Sequence, residues 1–113
     1  MIDLSFLYKF TQGDASKTAK YIRMYLQYAP ETMAAIKLDL EQSAWPALAV
    51  HAHSLKPQAD FMGNRELKQI LEAIEEKVRT GQLEELASLV HAAVLAHEAA
   101  TPLLEKELEK LGI

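Results

Sequence analysis

The sequence predicts an all-α chain: an up-and-down antiparallel four-helix bundle preceded by a short N-terminal helix. Three observations carry this. Ala and Leu total 34 residues against 15 Val, Ile and Thr, a balance that favours helix over strand. Four long stretches repeat their apolar residues at helical spacing. Only short turns separate them, so consecutive helices must run antiparallel and side by side. A chain of 113 residues reads as one domain, 1–113, able to bury roughly two thirds of its unfolded surface.

Each element has its own signal. Asp3 is placed to cap a short helix ending near Phe10, with Leu4, Leu7 and Phe10 on one stripe. Thr11-Gln12-Gly13 turns the chain, and Asp14 caps a long helix carrying Ala19, Ile22, Leu26, Met33, Ile36 and Leu40. Pro30 lies inside that pattern and is read as a kink rather than a break. Ser43 with Ala44-Trp45-Pro46 starts the next helix, proline falling in the first turn, where its missing N–H costs little. That helix runs to about Met62 and stops at Gly63. Asn64 caps a third long helix with Leu67, Ile70, Leu71, Ile74 and Val78, ended by Arg79-Thr80-Gly81. The last helix begins near Gln82 and carries Leu83, Leu86, Val90, Ala93, His97, Leu104, Leu108 and Leu111, bent at Pro102.

Composition excludes several function classes. The absence of Cys removes disulfide frameworks, thiolate metal sites and thiol nucleophiles. Glycines stand at 13, 63, 81 and 112 without the spacing of a phosphate-binding loop, so nothing in the sequence supports ATP binding. A net charge of −4 supplies no basic field for a nucleic-acid backbone. No apolar run reaches the roughly 18 residues of a membrane span, and the expectation is a cytoplasmic monomer.

The chemistry concentrates in the segment 45–63. On a helical wheel, Leu48, Leu55, Ala52, Ala59 and Met62 define a buried stripe, with His51 about 40° from Leu55 and His53 about 160° away. His51 therefore belongs to the core margin as a hydrogen-bonded residue, and His53 points outward among Ala49, Lys56, Pro57 and Asp60. An exposed neutral imidazole is a nucleophile available for covalent catalysis. An ammonium one turn away, at Lys56, favours a phosphoryl group on the ring. Gln58, roughly 60° from the stripe, takes no role in transfer. Opposed faces argue against joint metal ligation by His51 and His53, and neither His91 nor His97 belongs to an Glu-x-x-His or His-Glu-x-x-His pattern.

His53-Ser54-Leu55-Lys56, followed by Gly63 at the helix end, resembles the motif of histidine-containing phosphotransfer (HPt) domains. The likeness extends over nearly the whole chain, through Gly13-Asp14, Trp45, the run from Leu67 to Gly81, and the four-helix layout. It implies His53 as phosphoacceptor, Lys56 as electrostatic support and Gly63 as helix terminator. It also implies a phosphocarrier without kinase activity, serving a response-regulator receiver domain, a hybrid sensor histidine kinase, or both. No cofactor is expected on this chain, Mg²⁺ being bound by the receiver. The departure is Pro57, where the family usually has glycine; it leaves the His53 carbonyl without its helical N–H partner and alters the receiver fit.

Other readings stand beside this one. Lys56 is also placed to pair with Asp60 at i+4. Phe6, Tyr8, Phe10 and the Tyr21, Tyr25 and Tyr28 series serve packing, with Phe10 and its neighbours on the short helix also candidates for a docking surface. The run Glu105–Lys110 reads as a solvated face. A second function class is a helical adaptor that binds a receiver or kinase with its histidine dispensable, and a hydrolytic or metal enzyme finds no supporting constellation.

Overall fold

The computed structural model describes residues 1–113. Five α-helices and no strand make it up: α1 Ser5–Phe10, α2 Ala15–Glu41, α3 Trp45–Phe61, α4 Arg65–Thr80 and α5 Leu86–Leu111, the last entered through a 3₁₀ turn at Leu83–Glu85. At about 1.5 Å per residue, the 27 residues of α2 account for most of the molecule's 45 Å long axis. The four long helices form a closed ring in which α2 packs on α3, α3 on α4, α4 on α5 and α5 back on α2.

Local chemistry explains most boundaries. The Asp14 carboxylate accepts the Lys17 N–H at 2.9 Å, and the Asn64 amide oxygen accepts the Leu67 N–H at 3.2 Å, so α2 and α4 each have a true N-cap. Asn64 also donates to the Ala96 carbonyl, tying the start of α4 to α5. Ser43 does not cap α3: its φ is +52° and its side chain makes no cap bond, because the chain must reverse within three residues of α2. The helix instead opens at Trp45, with Pro46 in its first turn. Asp3 serves Ser5, accepting its N–H at 3.0 Å and its hydroxyl at 2.5 Å, and α1 begins there. Pro30, Pro57 and Pro102 all lie within helices that continue past them.

Gly63 adopts φ +71°, a left-handed conformation that a side chain would disfavour. Its carbonyl accepts the Asp3 N–H at 3.1 Å, and a Cβ built on it would lie 1.7 Å from the Asp3 carbonyl oxygen. The residue that ends α3 is therefore also the seat on which the N-terminal segment rests.

One apolar core of 19 buried residues draws on all five helices, from Leu7 through Ile22, Leu55 and Leu71 to Leu104. On α1 only Leu7 is buried; Leu4, just before the helix, is half-buried and Phe10 is 57% exposed, since so short a helix presents too narrow a stripe to seat all three apolar side chains. Phe10 packs edge-on to Tyr21 and Phe61 at 5.7 and 5.2 Å between ring centroids, and Phe6 stands 5.6 Å from Phe61. The face expected to be solvated at Glu105–Lys110 is interrupted by Glu107, which accepts the Tyr8 hydroxyl and binds α1 to α5. Burial together with that carboxylate pushes the Tyr8 phenol up to about 12. No helix is long and apolar enough to cross a membrane.

Candidate functional site

Helix α3 buries Leu48, Ala52, Leu55 and Ala59 against the rest of the bundle. That fixes its rotation, and the azimuth of every other side chain on it follows. The His53 side chain is 71% exposed, as its opposition to Leu55 requires. His51, at the margin, is held by a hydrogen bond between its Nδ1 and Asp39 Oδ2 of α2 at 2.5 Å.

The environment of His53 includes a residue that sequence reasoning missed. Glu75, on α4, places Oε2 2.9 Å from His53 Nδ1. Its other oxygen, Oε1, is shut off from water and has the Lys56 ammonium 2.8 Å away. Lys56 thus pairs across the helix seam with Glu75, and the Asp60 partnership expected within α3 does not form; Asp60 is exposed. Partly removed from water, the attraction between Glu75 and Lys56 is less screened than that of a solvent-exposed pair at i+4.

The charge states follow from these contacts. Burial on its own would raise the Glu75 carboxyl, but hydrogen bonds from Lys56 and His53 and their charges outweigh it and hold the group below the ordinary carboxylate value. Glu75 in turn raises the Lys56 ammonium above its usual value, against a smaller desolvation effect. An ionised carboxylate only accepts hydrogen bonds, so His53 Nδ1 must carry a proton. In the neutral ring the lone pair is then on Nε2, which has no protein partner and faces solvent.

The remaining predicted residues divide into two groups around His53. Ala49 and Lys56 line a cleft toward α4 with Glu72, Glu75, Glu76 and Arg79. Pro57 and Asp60 line another toward the N-terminal segment, with Phe6, Phe61 and Gly63. Phe10 stands at the border of this second region, stacked on Phe6 and edge-on to Phe61. Gln58 is exposed and lines an apolar cleft with Tyr21, Met24, Tyr28 and Phe61. No group of three or more His, Asp or Glu side chains is arranged to hold a metal ion.

What this site can do is present a nucleophilic nitrogen with its tautomer fixed by a carboxylate and a cation in support. A family model for the Hpt domain matches residues 20–112. The chain belongs to the Hpt domain family. It is accordingly a phosphotransfer domain of two-component systems, and a phosphocarrier rather than a kinase. The match spans all four long helices of this Hpt domain apart from the first five residues of α2, and leaves α1 outside. No curated protein and no solved structure gives a match.

Proposed function

We propose that this Hpt domain accepts a phosphoryl group on His53 Nε2 from the aspartyl phosphate of a response-regulator receiver and returns it to such an aspartate. The observation that carries this is the bond from His53 Nδ1–H to Glu75, which leaves Nε2 free on a largely exposed ring. The Nε2 lone pair attacks phosphorus, the N–P bond forms, and the P–O bond to the receiver aspartate breaks so that its carboxylate departs. The Nδ1 proton stays on the ring, and the positive charge that develops there is balanced by Glu75. Near in-line transfer leaves positioning and charge stabilisation as the protein's contribution.

Lys56 acts in two ways on this reading. Its ammonium orients Glu75 through Oε1 and contributes positive potential beside the incoming phosphoryl group. The receiver docks around the ring on Ala49, Pro57 and Asp60, extended by Phe10 and Phe61; the exposure of Pro57, Asp60 and Phe10 supports this. The receiver holds the Mg²⁺ of the reaction, and this chain serves a receiver, a hybrid sensor kinase or both, as a cytoplasmic monomer of one domain.

The test is loading by a phosphorylated receiver. His53→Gln is expected to abolish acid-labile phosphate on this chain while the circular dichroism spectrum stays unchanged. Loading by the receiver that survives the substitution would overturn the assignment. Receiver binding without any phosphohistidine on the wild-type chain would favour the helical adaptor.

A further inference from the structure

His51 is not used in the transfer described above, yet its chemistry repeats that of His53. Its Nδ1 lies 2.5 Å from Asp39 Oδ2, a carboxylate whose side chain is only 10% exposed. Asp39 has no other side-chain hydrogen-bond or ion-pair partner, so that oxygen is committed to the ring. As at His53, the carboxylate forces the Nδ1 proton and leaves the lone pair of the neutral ring on Nε2. Nε2 makes no hydrogen bond and is not among the buried unpartnered atoms, so it reaches solvent on a side chain 39% exposed.

Two differences separate the histidines. His51 lies on the other side of α3, against α2, and rises less from the surface. The lower exposure of His51 restricts a macromolecular donor more than it restricts a small one. A small phosphoryl donor needs only access to Nε2. Asp39 also has no ion-paired ammonium as Glu75 has in Lys56, so loading should be slower than at His53.

We infer that His51 is a second phosphoacceptor, activated by Asp39 and reached by small phosphoryl donors of the phosphoramidate type but not by receivers. Nε2 attacks phosphorus, the donor's P–N bond breaks, and ammonia leaves. The Nδ1 proton remains on the ring, where Asp39 balances the imidazolium charge.

His91 supplies the internal comparison, being an exposed histidine with no side-chain partner. The experiment treats the full chain carrying His53→Gln with phosphoramidate and locates acid-labile phosphate by mass spectrometry. Label is expected on His51, at least about tenfold above His91, with Asp39→Asn reducing it by about the same factor, by analogy with loss of the outer-shell partner of a metal-ligating histidine. Adding His51→Gln should remove it. A His53→Gln chain that takes no label, label spread equally over His51 and His91, or label that persists without His51 would each overturn the inference. If Asp39→Asn does not fold, the ratio of His51 to His91 still decides. Because the donor here is a small molecule, failure leaves the receiver test of His53 untouched.

Discussion

The α3–α4 seam and the α2–α5 seam each hold a histidine, and the two are opposites. His53 is exposed, bonded through one nitrogen to Glu75, and free at the other. His97 of α5 is 8% exposed, beside Met33 and Val94, and its Nδ1 is buried without a partner. Desolvation lowers the His97 imidazole below its ordinary value near 6.5; Lys37 adds to this and Glu98 opposes it. On the proposed function the same ring is a reagent in one seam, and it is a packing element with an acid liability in the other. Partner and exposure, rather than residue type, make the difference.

The sharpest way to break this contrast is to remove the partner while keeping the ring. Glu75→Gln retains the shape but loses the charge that fixes the tautomer and balances the phosphorylated ring. Transfer from a receiver should slow by about 10–100-fold, by analogy with loss of the outer-shell partner of a metal-ligating histidine, with the thermal midpoint nearly unchanged. Stopped-flow or gel-based transfer kinetics measure it, and a rate equal to wild type would mean that Glu75 is only a surface ion-pair partner.

Lys56→Met is expected to have the next largest effect. It removes the ammonium and leaves Glu75 Oε1 buried without a cation, so transfer should slow by about tenfold, equivalent to roughly 1.4 kcal/mol in the barrier. The salt dependence of the transfer rate should also fall, since a screened attraction has been deleted.

The smallest effect belongs to the other seam. Because the folded-state value of His97 lies below the unfolded one, the unfolded chain binds more protons as the pH falls. Its contribution to stability is complete above about pH 6.5 and is lost progressively below that. His97→Leu should therefore flatten the acid side of a urea-midpoint profile measured between neutral and mildly acidic pH. Transfer through His53 should be unaffected. A profile as steep as wild type would assign the acid loss to other groups.

What was legible in the sequence depended on whether the information was local. As helix punctuation, Asp14, Asn64, Gly63 and Gly81 act within a few residues of where they stand, and each marks a helix boundary in the structure. The orientation of His53 followed from the wheel because the buried stripe of its own helix sets it. Ser43 was misleading because its capping chemistry had to compete with closing a tight interhelical turn. The partners of the two α3 histidines were not legible, since Asp39 and Glu75 come from other helices and meet α3 only at one register and rotation. A trace of Glu75 was available: it lies about 40° from buried Leu71 on the α4 wheel, at the edge of the apolar stripe. Phe61 was given no role in the sequence, yet three aromatic side chains converge on it.

The central claim is that Glu75 fixes the His53 tautomer so that phosphorus is bonded to Nε2. Nuclear magnetic resonance of the ¹⁵N-histidine-labelled chain, loaded by a phosphorylated receiver, tests it through the coupling between phosphorus and the ring nitrogens. The account predicts coupling to His53 Nε2, with Nδ1 protonated before and after loading. Phosphorus bonded to His53 Nδ1, or carried after receiver loading on any other residue, would contradict it.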